Sequence, residues 1–201
     1  MEEQVTIPCG EITLEGRFEQ LDGEKGVLIA HPHPLYGGDM NNPVVIALQS
    51  AYMRRGFSTL RFNFRGVGTS QGAHDSGAGE QTDIRAGIDF LKTAGIRQID
   101  LAGYSFGAWV IAGLIPSPNE IRRMLLVSPP VAMMDFSGPR QPLLSVRMIT
   151  GSRDDIAPPA SIKNLFDDCD TDAELTILDG ADHFYSGHMQ QLESAISDAI
   201  K

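Results

Sequence analysis

The sequence has little cysteine, little aromatic content and no long apolar run. It holds two cysteines, Cys9 and Cys169, in 201 residues, and 7% of its residues are aromatic. Two cysteines cannot form a disulfide framework or a zinc site, so we expect two free thiols in a reducing compartment. The apolar runs are too short to span a bilayer, and the acidic segment 1–10 lacks the apolar core of a secretory signal. These absences favour a cytoplasmic protein that does not associate with membranes.

Positive charge is also scarce. The 16 lysines and arginines are outnumbered by 26 aspartates and glutamates, which gives a net charge of −10. An acidic protein repels the phosphates of nucleic acids and anionic lipid surfaces, so neither is an expected partner. The chain has no repeat or linker-like segment, and its 201 residues are 42% hydrophobic. This length and content predict a single domain over residues 1–201.

Short apolar strands alternate with helical segments along the chain. This alternation predicts an α/β fold, with a mostly parallel sheet, helices on both faces and two antiparallel strands at the N-terminus. Ligands of such sheets bind at the carboxyl ends of the strands, so polar residues just after strands are the candidates for function. The predicted strands are Val5–Ile7, Ile12–Phe18, Gly26–Ala30, Phe57–Phe64, Ile99–Ala102, Met124–Val127, Val146–Thr150 and Leu175–Leu178, and the predicted helices are Pro43–Gly56, Thr82–Leu91, Ser105–Ile115, Ser161–Phe166 and one from Met189 to Ile200.

A G-x-S-x-G motif, Gly103-Tyr104-Ser105-Phe106-Gly107, joins a predicted strand to a predicted helix. A serine that must stand clear of a sheet needs a very sharp turn, and the residues two positions to either side must be small. Gly103 and Gly107 meet that need. A glycine-rich turn without chemistry is the alternative, but the strand before and the helix after favour Ser105 as a nucleophile.

A serine hydroxyl needs a base, and the base needs an orienting acid. Asp154 follows the strand Val146–Thr150 and is the preferred acid, although Asp155 and Asp135 are alternatives and Asp154 could instead cap the helix after Pro158.

His183 follows the last predicted strand and is the preferred base. The order Ser105, Asp154, His183 is the nucleophile–acid–base order of α/β-hydrolases. Four other histidines compete with His183 for this role. His31, His33 and His74 lie upstream of the acid, whereas His188 lies in the same final loop as His183.

The loop after the strand Gly26–Ala30 is expected to complete an oxyanion hole, together with the N–H of Phe106, the residue after the nucleophile. Pro32 and Pro34 have no N–H and are excluded as donors. This leaves His33 or Leu35, and the loop position favours His33.

Metal and nucleotide sites are not expected. His31 and His33 point the same way on an extended segment, but two ligands without a nearby carboxylate are too few for a metal, and His31 is better explained as a ring that ties the loop down. The segment Gly66–Gly72 follows a strand but lacks the G-x-G-x-x-G spacing and a Walker lysine. We therefore expect no cofactor.

Several blocks together resemble the α/β-hydrolase superfamily, and within it the small, lidless, dienelactone-hydrolase-like bacterial hydrolases. The resemblance extends from about Gly26 to His188 and implies Ser105 as nucleophile, Asp154 as acid and His183 as base. Dienelactone hydrolases carry cysteine at the nucleophile position, so Ser105 favours a more general ester or thioester hydrolase. The blocks are His31-Pro32-His33-Pro34 with Gly37-Gly38, Phe62–Gly68, Gly103–Gly107, Gly151–Asp154 with Pro158, and Gly180–Phe184.

The expected function is hydrolysis of small carboxylic esters, thioesters or lactones through an acyl-enzyme, by a monomer or a homodimer. The segment Ser128–Ser145 is too short for a helical lid domain, which favours small soluble substrates. A peptidase or amidase with the same triad and a non-catalytic binding protein are the alternatives. Tyr36, Tyr104 and Phe184 are the predicted substrate-binding residues. Further candidate wall residues are Phe106, Trp109, Met133, Met134 and Tyr185, with Trp109 the one expected to fill core instead.

Overall fold

The computed structural model describes residues 1–114, 120–137, 145–163, 165 and 172–201. This part of the chain forms eight strands and five α-helices. In chain order they are β1 (Glu3–Cys9), β2 (Ile12–Glu19), β3 (Lys25–Ala30), α1 (Pro43–Arg54), β4 (Ser58–Phe62), α2 (Ala78–Thr93), β5 (Gln98–Tyr104), α3 (Phe106–Ala112), β6 (Ile121–Val127), β7 (Ser145–Gly151), α4 (Pro159–Lys163), β8 (Ala173–Leu178) and α5 (Met189–Ala199).

The strands form one sheet in the order β1-β2-β4-β3-β5-β6-β7-β8. The pairs β1/β2 and β2/β4 are antiparallel, and the remaining five pairs, from β4/β3 to β7/β8, are parallel. The predicted mostly parallel sheet with antiparallel N-terminal strands is confirmed. Because β5 lies between β3 and β6, the loops that follow β3 and β6 flank the end of β5.

Helices cover both faces of the sheet, as predicted. Side chains alternate along a strand, so Val27 and Ile29 of β3 contribute to one core layer, whereas Leu28 and Ala30 contribute to the other. The first layer includes Val45, Leu48 and Tyr52 of α1 and Leu192 and Ile196 of α5, and the second includes Ile84, Ile88 and Leu91 of α2 and Val110 and Ile111 of α3. This two-sided burial explains why the central strands are continuous apolar runs.

The helix predicted over Thr82–Leu91 is longer than expected, because it begins at Ala78. Gly77 precedes it with a φ of 101°, and Glu80 accepts a hydrogen bond from the Gly77 N–H at 2.7 Å. The carboxylate thus satisfies a free N–H at the helix start, which explains why the helix begins four residues before the predicted Thr82.

Other boundaries shift by a few residues. The helix predicted from Ser105 begins at Phe106, and the strand predicted over Phe57–Phe64 is β4, Ser58–Phe62. The helix predicted over Ser161–Phe166 is α4, Pro159–Lys163. Ile115, Phe166 and Cys169 lie outside the described residues, and Cys9 is a buried free thiol.

The loop that leaves β6 forms short turns over its described residues 128–137 and adds no helical lid there. Among the helices that the structure describes, none is both long and apolar enough to cross a bilayer.

Candidate active site

Ser105 occupies a very sharp turn between β5 and α3. Its φ of 53° and ψ of −115° are strained for a residue with a side chain. A Cβ on Gly103 would lie 2.6 Å from the carbonyl carbon of Gly107, and a Cβ on Gly107 would lie 2.5 Å from the Ala30 oxygen. The turn therefore requires both glycines, and it holds Ser105 at the carboxyl edge of the sheet.

The structure brings Ser105, His183 and Asp154 together from three separate loops. His183 Nε2 lies 3.0 Å from Ser105 Oγ, and its Nδ1 lies 2.9 Å from each carboxylate oxygen of Asp154. An ionised carboxylate only accepts hydrogen bonds, so Nδ1 carries the ring proton and Nε2 is free to accept from the serine hydroxyl. All three side chains are buried or nearly so.

Asp154 is fixed by more than the histidine. Its Oδ1 accepts hydrogen bonds from the N–H groups of Ile156 at 3.0 Å and Ala157 at 2.7 Å. Burial raises the pKa of this carboxyl, but the hydrogen bond and charge of His183 and the other donors lower it further, so the net pKa lies below its ordinary value. Asp154 is therefore ionised at neutral pH. Both of these N–H groups precede α4, so Asp154 orders the loop before that helix and does not cap the helix itself, as the capping alternative would require.

The alternative acids lie elsewhere. Asp155 is exposed, and Asp135 is an exposed carboxylate whose oxygens accept hydrogen bonds from Ser137. Among the described contacts, neither carboxylate pairs with His183, whose ring hydrogen bonds go to Asp154 and Ser105.

The remaining histidines have other partners. His188 Nδ1 donates to the Ser186 carbonyl at 2.8 Å. His74 Nδ1 lies 2.8 Å from a carboxylate oxygen of the fully buried Glu80, close enough for an ion pair but not aligned for a hydrogen bond. Across the described residues, no three histidine, cysteine, aspartate or glutamate side chains are grouped to hold a metal ion.

His31 ties the loop after β3 to the rest of the fold. The fully buried ring accepts a hydrogen bond from the Phe64 N–H at Nε2, 3.0 Å away, and donates from Nδ1 to the Pro32 carbonyl at 2.7 Å. Burial lowers the pKa of His31 to about 4, so the ring is neutral at ordinary pH. A Cβ on Gly38 would overlap the Pro32 oxygen, so this carbonyl is confined from two sides.

The amides of His33 and Leu35 differ in their partners. The Leu35 N–H donates to Nδ1 of the His33 ring at 3.2 Å, which caps the short 3₁₀ turn Pro34–Tyr36. Within the part of the chain that the structure describes, the N–H groups of His33 and Phe106 have no protein acceptor. These two amides are therefore available to a ligand, whereas that of Leu35 is occupied.

A pocket with a volume of about 460 Å³ opens over Ser105. The three predicted substrate-binding residues all line it. Tyr36 and Phe184 are exposed, whereas Tyr104 is buried and donates from its hydroxyl to the His183 carbonyl at 2.9 Å. Tyr104 thus supports the His183 loop as well as the pocket wall.

The structure changes part of the predicted wall. Tyr185 is fully buried and its hydroxyl lies 2.7 Å from Ser128 Oγ, so it is not a wall residue. Trp109 packs against the core, as expected, and does not line the pocket; its Nε1 donates to the Asp135 carbonyl at 2.7 Å. Wall residues that the sequence reasoning missed are Pro130 and Ile156, which follow β6 and β7, and Asn42, the cap of α1. Pro130 and Ile156 could have been predicted from the sequence, because residues that follow the strands of a parallel sheet lie at its ligand-binding edge.

The sequence and the fold of this chain are similar to those of several known proteins. Residues 27–195 match the model of the alpha/beta hydrolase family. The chain is 34% identical over 209 residues to an uncharacterized protein of Rickettsia prowazekii, covering 98% of this chain and 88% of that one. It is similar to an alpha-beta serine hydrolase homologue from Coxiella burnetii, with 31% identity, a TM-score of 0.89 and coverage of 99% and 97% of the two chains. It is also similar to a serine hydrolase without lid from Xanthomonas campestris, with 27% identity, a TM-score of 0.86 and coverage of 99% and 93%.

Proposed function

The chain belongs to the alpha/beta hydrolase family, and we propose that it is a serine hydrolase that cleaves small carboxylic esters through Ser105, His183 and Asp154. The observation that carries the proposal is the unbroken series of hydrogen bonds from Asp154 through His183 to the Ser105 hydroxyl. A buried carboxylate, an imidazole in the required tautomer and a strained serine together form an activated nucleophile.

In the first half of the reaction, Ser105 Oγ attacks the ester carbonyl carbon and His183 Nε2 takes the hydroxyl proton. The C–O bond to the alcohol then breaks, and His183 gives the proton to the leaving oxygen. In the second half, water repeats these steps on the acyl-enzyme and releases the acid and Ser105. Asp154 stabilises the imidazolium while it carries the proton.

The Phe106 and His33 amides are proposed to bind the oxyanion. The carbonyl and N–H of one trans peptide point in opposite directions, so the hydrogen bond from His31 to the Pro32 carbonyl also orients the His33 N–H. Such a donor contributes about 2.7–4 kcal/mol to transition-state stabilisation. His31 acts in this proposal as a positioning residue.

Covalent labelling tests the proposal. A fluorophosphonate probe should label the native protein, with the adduct mapped by mass spectrometry to Ser105, and should not label Ser105→Ala. No adduct on Ser105, or full esterase activity in Ser105→Ala, would overturn the proposal. Short-chain 4-nitrophenyl esters compared with aminoacyl nitroanilides then separate an esterase from an amidase.

A further inference from the structure

The pocket over Ser105 has two chemically different sides. β5 lies between β3 and β6, so the loop after β3 forms one side and the loops after β6, β7 and β8 form the other. On the β3 side, His33, Tyr36 and Asn42 line the pocket, and the side chains of all three carry polar atoms. The other side is an apolar wall, defined here as Pro130, Met133, Met134, Ile156 and Phe184.

Two of the five wall side chains are exposed, Met134 and Ile156 are half-buried, and Pro130 is buried. Met133 is 63% exposed and Phe184 is 69% exposed, although both are large apolar side chains. Exposed apolar groups that converge on a pocket mark a binding surface for an apolar partner. Unbranched methionine side chains adapt to both aliphatic and aromatic groups.

Charge near the wall disfavours an anionic substrate. Among the pocket-lining residues that the structure describes, none is a lysine, arginine, aspartate or glutamate. Asp182 lies at the base of the Phe184 loop, where its Oδ1 accepts from the N–H groups of Phe184 at 3.1 Å and Ser186 at 3.0 Å. The backbone hydrogen bond from Ser186 lowers its pKa, so this carboxylate is ionised at neutral pH.

We infer that the preferred substrate is an uncharged ester whose larger apolar group lies on this wall, and that the pocket selects against esters that carry a carboxylate. A substrate carboxylate on the wall would lose bound water and would gain no cation from the described lining in return. The ionised Asp182 at the base of the Phe184 loop and the net charge of −10 would repel it as well. This inference rests on the proposed ester hydrolysis and specifies its substrate class.

A matched pair of esters tests the inference. 4-Nitrophenyl hexanoate and the mono-4-nitrophenyl ester of adipic acid have the same chain length, and only the second ends in a carboxylate. After subtraction of spontaneous hydrolysis, we expect kcat/KM for the adipate ester to be lower by about tenfold or more. Values within threefold of each other would overturn the inference.

Charge variants locate the selection on the wall. Met133→Lys should raise the relative kcat/KM of the adipate ester by about two- to fivefold compared with Met133→Gln, as expected for one exposed ion pair. Ile177→Lys is a matched control, because the substitution adds the same charge at a residue that is 50% exposed on β8 and does not line the pocket. An equal gain in Ile177→Lys would show that net charge, not the wall, selects the substrate, and would overturn the inference.

The labelling experiment separates the two possible failures. Labelling of Ser105 with equal use of both esters would refute the substrate class and leave the hydrolase proposal standing. Absence of both labelling and ester cleavage would refute the hydrolase proposal itself.

Discussion

Acidification should destabilise the fold through one buried ring, His31. The ring accepts a hydrogen bond from the Phe64 N–H at Nε2 and donates one from Nδ1 to the Pro32 carbonyl. A second ring proton would sit on Nε2 and point at the Phe64 N–H, which is also a donor. Burial, the largest influence, lowers the pKa of His31 from 6.5 to about 4, against the smaller raising effects of the Pro32 carbonyl and the charges of Asp39 and Glu80. The folded state therefore excludes a proton that the unfolded state accepts.

The sign and size of the effect follow from this difference. Between pH 6.5 and about 4 the unfolded chain binds one more proton at His31, so the free energy of unfolding falls as the pH falls. At about 1.4 kcal/mol per pH unit, the full loss is about 3 kcal/mol. The contribution is fully present above pH 6.5 and is lost by about pH 4.

Urea unfolding at a series of pH values between 7 and 4 measures this loss. Over this pH range the free energy of unfolding should fall by about 3 kcal/mol more for the native protein than for His31→Gln. The glutamine side chain retains an acceptor and a donor but does not titrate. Circular dichroism at pH 7 must first show that the variant is folded, with His31→Asn as a second neutral replacement. Carboxyl titrations common to both proteins largely cancel in the comparison. If the free energy of unfolding depended on pH in the same way for the native protein and the folded variant, His31 would not be the group whose protonation destabilises the fold.

Three further predictions concern the candidate site. Asp154→Asn should lower kcat on 4-nitrophenyl acetate by about 10⁴-fold, because the amide no longer requires the proton to be on His183 Nδ1; activity within tenfold of native would contradict this role. Gly107→Ala places a Cβ 2.5 Å from the Ala30 oxygen and should lower the free energy of unfolding, measured in urea, by about 1–3 kcal/mol; an unchanged unfolding midpoint would show that the turn can relax. Tyr104→Phe removes the hydrogen bond to the His183 carbonyl and should cost about 1 kcal/mol of stability by thermal unfolding; no change in melting temperature would mean that the hydroxyl does not support the His183 loop.

The sheet and the grouping of candidate residues could be predicted because both depend on local patterns. Strand ends at one edge of a parallel sheet bring the following residues together, and this alone predicts that Ser105, Asp154 and His183 lie close to one another. Their assignment to catalysis stays a proposal. The apolar strand before Ser105 and the glycines two residues to either side of it also predict the sharp turn at this serine.

The remaining features depend on contacts between distant segments. The His31 ring meets a backbone N–H of Phe64, and the sequence around either residue does not encode that distance. Tyr185 is among the predicted wall residues, as is its neighbour Phe184, but its side chain turns into the core toward Ser128. Adjacent residues of an irregular loop follow no fixed periodicity, so the sequence could not separate the exposed Phe184 from the buried Tyr185.

The position of β8 at the end of the sheet has a consequence for local unfolding. Among the described strands, β8 pairs only with β7, and all six of its residues are exposed or half-buried. His183 lies in the loop that follows β8, whereas Ser105 follows the central strand β5, in which every residue except Gln98 is buried. Edge elements with few buried side chains open at lower free energy than the centre of a sheet. Partial opening of this edge would therefore displace His183, the proposed base, and leave Ser105, the proposed nucleophile, in place. The protein would then pass through a largely folded state without an assembled triad before it unfolds globally.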